Sequence, residues 1–421
     1  SSAGDREIPL IMGLLPVLPR HLLTPETFDR TTLEAPVGSG PYRVERIDPG
    51  RSVTYRRNPD WWARDLGVTR GRFNFEEIRV EHFRDSASLF EAFKAGEIHV
   101  RTEDDPGRWF EGYRFPAVTD GRVVKREFET GLPSGMAALV FNTRRPIFED
   151  ARVRRAFLLL FEGAWINRSL FNGGYQRTQS FFERSMLSSH GRPADDSERA
   201  LLAPFATYVK PEIMDGTYVV PGAIWTGSNR SNLQAAFLLL KEAGYAMQDG
   251  RLARNGTPLS FEVLAQTRQQ ERLMLSYART LERLGIAARI RQVDSAQYWS
   301  RLKTYDFDMT QWTWGSSLSP GNEQISRWGS RAASIEGSLN YAGVKNPAVD
   351  AMIEALLQAK TAEEFTAAVR AFDRVLMSGE YVIPLFHLPK VWVAYWNSLR
   401  YPETRPLSGY DLDTWWVEPP R

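Results

Sequence analysis

Apolar positions along this chain follow two spacings, and the switches between them mark out its elements. Residues Ala137–Phe141 are an unbroken apolar run, the pattern of a strand buried on both faces. Asn142-Thr143 and Arg145-Pro146 break the run. Asp150 then stands as an N-cap, and Val153, Ala156, Phe157, Leu160 and Phe161 recur on one helical face. Upstream, Pro41–Tyr55 reads as a hairpin around Asp48-Pro49-Gly50. Asp85 caps a helix carrying Leu89, Phe90 and Phe93 that Gly96 stops, and Ile98-His99-Val100 resumes as a strand.

Downstream the alternation continues. A helix with Leu233, Phe237 and Leu240 ends at Gly244, and a hairpin at Asp249–Gly256 follows. The strand Leu259–Leu264, a helix over Glu271–Leu284, the strand Ile286–Val293, a short helix around Tyr298 and the strand Phe307–Trp314 come next. Helices over about 349–358 and 362–377 precede the strands Tyr381–Phe386 and Val391–Tyr395. Residues 186–230, rich in Pro, Gly and Ser, read as a long connection with little structure of its own. Arg152, Arg154 and Arg155 read as a solvated helix face, and Glu103-Asp104-Asp105 as a solvated turn.

Strands alternating with helices give an α/β fold, and 421 residues exceed one ordinary core. The expected division is a first lobe of 1–136 and 386–421, and a second lobe of 137–385 inserted into it. Two crossing strands, near 137–143 and 381–387, then form a hinge beside a cleft.

Composition narrows the function. A net charge of +2 with dispersed Arg argues against a nucleic-acid groove. No apolar run approaches ~18 residues, so no transmembrane helix is expected. The start, Ser-Ser-Ala-Gly-Asp-Arg-Glu, carries no apolar leader core. Zero cysteines exclude disulfides and thiol chemistry, and five histidines without metal spacing give no metal site and no cofactor. Thirteen Trp suit a protein that grips a ligand between apolar walls. There is no Gly-x-Ser-x-Gly elbow or Walker loop, so the reading is of a binder and no enzyme. Two alternatives stay open: a peptide- or glycan-processing hydrolase whose acids lie far apart in sequence, and a non-transport peptide sensor or interaction module.

The run from Phe141-Asn142-Thr143 through Asp150-Ala151-Arg152-Val153-Arg154 resembles a signature of the family 5 extracellular solute-binding proteins, receptors for oligopeptides, dipeptides and nickel that feed ABC importers. Gly38-Ser39-Gly40-Pro41-Tyr42, Ala92–Ile98, Leu239–Tyr245, Gly285-Ile286 with Asp306–Met309, and Asn340–Asp350 are similar to further family motifs in family order. The stretches 177–183 and 319–324 are similar to the Yej-type subgroup, associated with oligopeptides and microcin C-like conjugates. The resemblance implies a bilobed periplasmic-binding-protein-like fold (type II, cluster C-like), a periplasmic location, a peptide-like ligand and an inner-membrane ABC permease as partner. It also implies a monomer. The family carries further residues before the Gly-Pro-Tyr turn, so the chain is expected to lack an N-terminal portion, which a companion segment would supply.

Candidate ligand contacts gather at the end of the Phe307–Trp314 strand. Alternation puts Trp312 and Trp314 on one face, and Trp314 sits nearer the strand end, where ligands meet α/β sheets. Asn142 ends the crossing strand. Ser316, Ser317, Asn322 and Glu323 lie in the loop that follows, Tyr341 precedes a Gly-containing loop, and His387 follows the second crossing strand. Peptide-binding members carry an Asp for the ligand amine where Ser316-Ser317 stand here, so N-acetylating a ligand is expected to cost little. Glu323 is the substitute for that Asp within the same loop.

Overall fold

A computed structural model describes residues 7–28, 33–224 and 229–418. Residues 1–6 of the chain start and 225–228 of the 186–230 connection lie outside them. The chain divides into two compact units, Ser1–Met12 with Leu132–Pro389 and Gly13–Gly131 with Lys390–Arg421. Both are mixed α/β.

The unit containing 132–389 is built on strands β1 (Met136–Phe141), β2 (Gln176–Arg177), β3 (Ser260–Ala265), β4 (Ala287–Gln292), β5 (Met309–Trp314), β6 (Val382–Pro384) and β7 (Phe386–His387). Five of them make one sheet in the order β4-β3-β5-β1-β6. The β3 strand pairs parallel with β4 and β5, while β1 runs antiparallel between β5 and β6. Ala138, Leu139, Val140 and Phe141 are fully buried, as a central strand covered on both faces requires. The covering helices are α1 (Ala151–Leu159), α2 (Gly163–Phe171), α3 (Arg230–Glu242), α4 (Arg268–Glu282), α5 (Ser295–Lys303), α6 (Pro347–Gln358) and α7 (Ala362–Gly379). Asp150 caps α1 through Arg152 N, as the sequence leads one to expect. Thr267 and Thr361 open α4 and α7 with capping boxes completed by Gln270 and Glu364.

Two expectations here need correction. Arg154 is not solvated: only 6% exposed, it donates to the carbonyls of Phe148, Glu149, Gly379 and Glu380, tying α1 to the end of α7. The segment 186–230 has structure of its own, with helices at Asp196–Leu202 and Pro211–Met214. Its anchor is remote. Glu198 accepts from Arg374 of α7 at 2.6 Å, and both side chains are buried.

The other unit holds two three-stranded antiparallel sheets. Tyr42–Asp48, Ser52–Arg57 and Glu77–Glu81 form one, and Val391–Trp396 lies between Val100–Glu103 and Val123–Phe128 in the other. The helix Ser86–Ala95 is capped by Asp85 and ended by Gly96 at φ +84°, a conformation that favours glycine. Glu103 departs from the solvated turn expected of it. It is fully buried, paired with Arg101 and Arg108 and bonded by the Tyr113 hydroxyl, because strand alternation turns it inward.

Candidate ligand-binding site

The C-terminal ends of β5 and β6 and the start of β1 lie at one end of the sheet, since Trp314 pairs with Met136 and Pro384 with Ala138. Trp312 and Trp314 project to one face of β5, and Tyr341 meets both rings, at 4.7 Å and 6.5 Å. Their depths reverse the sequence-based preference. Trp314 is 4% exposed, packs 4.6 Å from Trp328 and donates to the Leu339 carbonyl. Trp312 is half-buried and meets the half-exposed Trp299 edge-on at 5.6 Å. The open aromatic wall therefore consists of Trp299 and Trp312, with Trp314 beneath it. Burial pushes the Tyr341 phenol up to about 12, so that ring stays neutral at physiological pH.

Asn142 does not face outward. It is fully buried, its amide donates to the carbonyls of Tyr305 and Phe307, and its oxygen accepts from Arg144 N and Nη1. Those bonds hold the turn after β1 against the loop before β5. The loop after β5 is more open. Ser317 is exposed and accepts from Ser319 N, while the Ser316 hydroxyl is buried without a hydrogen-bond partner. Asn322 N donates to the Glu7 carboxylate. The half-buried Glu323 carboxylate accepts from Gly321 N and the Gln324 amide. It folds onto its own loop. Gly135, at φ +70°, lies where a Cβ would meet the Trp314 carbonyl at 2.4 Å, so the strand approaches this loop as only glycine allows.

Ser134 N donates to the Glu183 carbonyl, and Glu183 lines an open cavity of about 770 Å³ in the same unit. Strand β7 pairs with β2 in its wall. The register sets Arg177 opposite Phe386 on one face of this two-stranded ribbon, and Gln176 opposite His387 on the other. On the first face Phe386 stacks on Tyr175 at 6.0 Å, giving an apolar wall. On the second, His387 Nδ1 lies 3.1 Å from the Thr178 hydroxyl and Nε2 has no partner. Burial, with the nearby Arg184 charge, lowers the His387 pKa to about 4, so the ring is neutral near pH 7.

Arg177, within the 177–183 stretch, lines the cavity without being among the residues its sequence pattern singles out. Its guanidinium lies 4.5 Å from the Phe161 ring centroid and 5.7 Å from that of Phe386. None of its three nitrogens makes a hydrogen bond. Burial lowers its pKa to about 9. Nothing local in Gln-Arg-Thr-Gln announces this, because its isolation follows from β7, more than two hundred residues away.

The aromatic wall offers apolar area, and the cavity, lined by other residues, mixes polar and apolar groups. Residues 6–335 match the family described as bacterial extracellular solute-binding proteins, family 5 Middle. A Brucella suis biovar 1 protein is 51% identical over 415 residues, covering 98% of this chain and 68% of the relative. The peptidoglycan-binding protein YepA of Agrobacterium fabrum is 44% identical over 422 residues, covering 98% and 69%. YejA of the same organism, named for peptide binding, is 41% identical over 425 residues, covering 98% and 69%. The fold is similar to that of oligopeptide-binding AppA from Bacillus subtilis, solved with a nonapeptide (TM-score 0.69, 17% identity, 96% of this chain and 72% of that one). It is also similar to NikZ from Campylobacter jejuni, solved with Ni(L-His) (TM-score 0.70, 18% identity, 94% and 72%). Among the described residues no helix is long and apolar enough to cross a membrane, and no group of acidic or His side chains could hold a metal ion.

Proposed function

The chain belongs to the bacterial extracellular solute-binding proteins of family 5, and from that premise we propose that it captures peptides or peptide-like conjugates in the periplasm and passes them to an ABC permease. The family binds solutes and does not transform them. The carrying observation is the half-buried Trp312, set between Trp299 and Tyr341 near the end of β5. Rings offer apolar area to side chains of varied shape at little entropic cost. The relatives named for peptide and peptidoglycan binding support the same ligand class, since both contain peptide chains. The bilobed organisation on a two-strand hinge belongs to this proposal. So do Trp312, Ser316, Ser317, Asn322, Glu323 and His387 as the residues around the ligand, with Tyr341, as buried as Trp314, backing the Trp312 ring.

Titrating the protein with synthetic tri- to nonapeptides, followed by calorimetry and tryptophan fluorescence, tests the reading. Saturable binding with a fluorescence change is expected. Absence of saturable binding across the whole peptide set would sink it.

A further inference from the structure

A guanidinium carries five N–H donors, and one taken out of water is costly unless those donors and the charge are met. Arg177 is 9% exposed and meets neither need from the protein. Its Nε, Nη1 and Nη2 are all buried without a hydrogen-bond partner. The groups that act on its charge are the phenols of Tyr218 and Tyr277, and no carboxylate is among them. The Phe161 and Phe386 rings offset part of the charge through their faces, but a ring face supplies no acceptor for the in-plane N–H groups. By contrast, Arg154 and Arg374, the other buried arginines among the described residues of this unit, are met. Arg154 reaches four carbonyls, and Arg374 holds Glu198 with the carbonyls of Ile213 and Arg192.

Arg177 lines the open cavity, its three nitrogens lying covered in the cavity wall. Room for it is kept by Gly163, where a Cβ would stand 2.7 Å from Nη1. The exposed Arg168, one turn along α2 and also lining the cavity, adds positive charge at the approach. Tyr175 and Phe386 supply apolar wall beside it. An arginine fork of this kind matches a carboxylate, which accepts two parallel N–H bonds and neutralises the charge.

We propose that Arg177 is a carboxylate-binding subsite of this receptor, so that its peptide ligands carry an acidic group, terminal or side-chain, into this cavity. The subsite rests on the peptide reading above and narrows it to acidic ligands. The nitrogens are covered in the present conformation, so the carboxylate reaches them through a side-chain adjustment of the wall as it enters.

The test compares three probes on the full chain: tetra-alanine with a free C-terminus, its C-terminal amide, and that amide with one Ala replaced by Glu. Wild type is expected to bind at least one acid-bearing peptide about tenfold or more tighter than the neutral amide, and which one does so identifies the carboxylate's source. In Arg177→Gln that ratio collapses toward one, and in Arg177→Lys, which keeps charge without the fork, part of it survives. An unchanged ratio in Arg177→Gln, or no acid preference in wild type, overturns the subsite. If no peptide binds, the peptide reading fails separately, and an acetate titration of the 15N-labelled protein judges the subsite. A saturable shift of the Arg177 Nε–H resonance supports it, and a static resonance overturns it. Should Arg177→Gln not fold, the Lys variant and the same resonance decide.

Discussion

Trp312 and Trp314 stand two residues apart on one face of β5, yet different consequences follow from replacing them. Trp314→Ala opens a cavity in a packed cluster with Trp328 and strands the Leu339 carbonyl. A stability loss of about 3–5 kcal/mol in urea denaturation is expected. Trp312→Ala is expected to leave stability within about 1–2 kcal/mol while weakening peptide binding by ~1–3 kcal/mol in calorimetry. The opposite assignment of the two losses would place the ligand wall elsewhere. Alternation made the shared face legible in the sequence, but not the depth, which Tyr341 and Trp328 set from other elements. His387 carries a second expectation. Its folded-state pKa, about 4, lies below the ordinary 6.5, so unfolding takes up a proton between those values. The stability it contributes is complete above pH 6.5 and is lost as pH falls toward 4. Between pH 7 and 5 that is about 2 kcal/mol, which His387→Gln should remove from the pH dependence of the urea midpoint. A pH dependence identical to wild type would mean the ring is not held neutral.

At the scale of elements, what the sequence disclosed was what neighbours in the chain decide. The caps Asp85 and Asp150, the Gly96 stop and the buried run of β1 all follow from contacts within a few residues. The helix Asp196–Leu202 has its local cap in Asp195, but the group that anchors it to the unit, Arg374, lies on α7. The same distance hid the burial of Arg154 and the isolation of Arg177. Glu198 thereby becomes decisive for a whole segment. Glu198→Gln leaves the Arg374 charge buried without its carboxylate, and about 3–5 kcal/mol of stability should be lost. Hydrogen exchange should then rise first across 196–214. Exchange rising evenly through the unit, with segment 196–214 no faster than the rest, would show that the pair does not hold it.

On the scale of the molecule, the chain leaves one unit at Gly131 and returns to it at Lys390. The strands just inside the excursion, β1 and β6, are hydrogen-bonded neighbours, with Ala138 opposite Pro384. A segment whose ends are already held together, and whose five-stranded sheet is completed from its own residues, has what an independent core needs. Residues 132–389 expressed alone should therefore unfold in a single cooperative transition. A broad, non-cooperative melt would show that the segment depends on the rest of the chain. The strands just outside the excursion are paired as well, Phe128 opposite Val391.

That second pairing bears on the order of folding. To the strands Val123–Phe128 and Val391–Trp396, everything from 132 to 389 is the loop of a β-hairpin. Closing so long a loop while it is unfolded costs roughly 3 kcal/mol more than closing one of about ten residues. Once β1 and β6 have paired, their backbones stand ~5 Å apart and the effective loop shrinks to residues 129–137 and 385–390, about fifteen in all. The inserted unit should gain its exchange protection first and the outer hairpin afterwards. Leu139→Ala, which touches only the inserted sheet, should then delay protection of 123–128 and 391–396 in a pulse-labelling experiment. Unaltered timing there would mean the outer strands find each other across the full unfolded length.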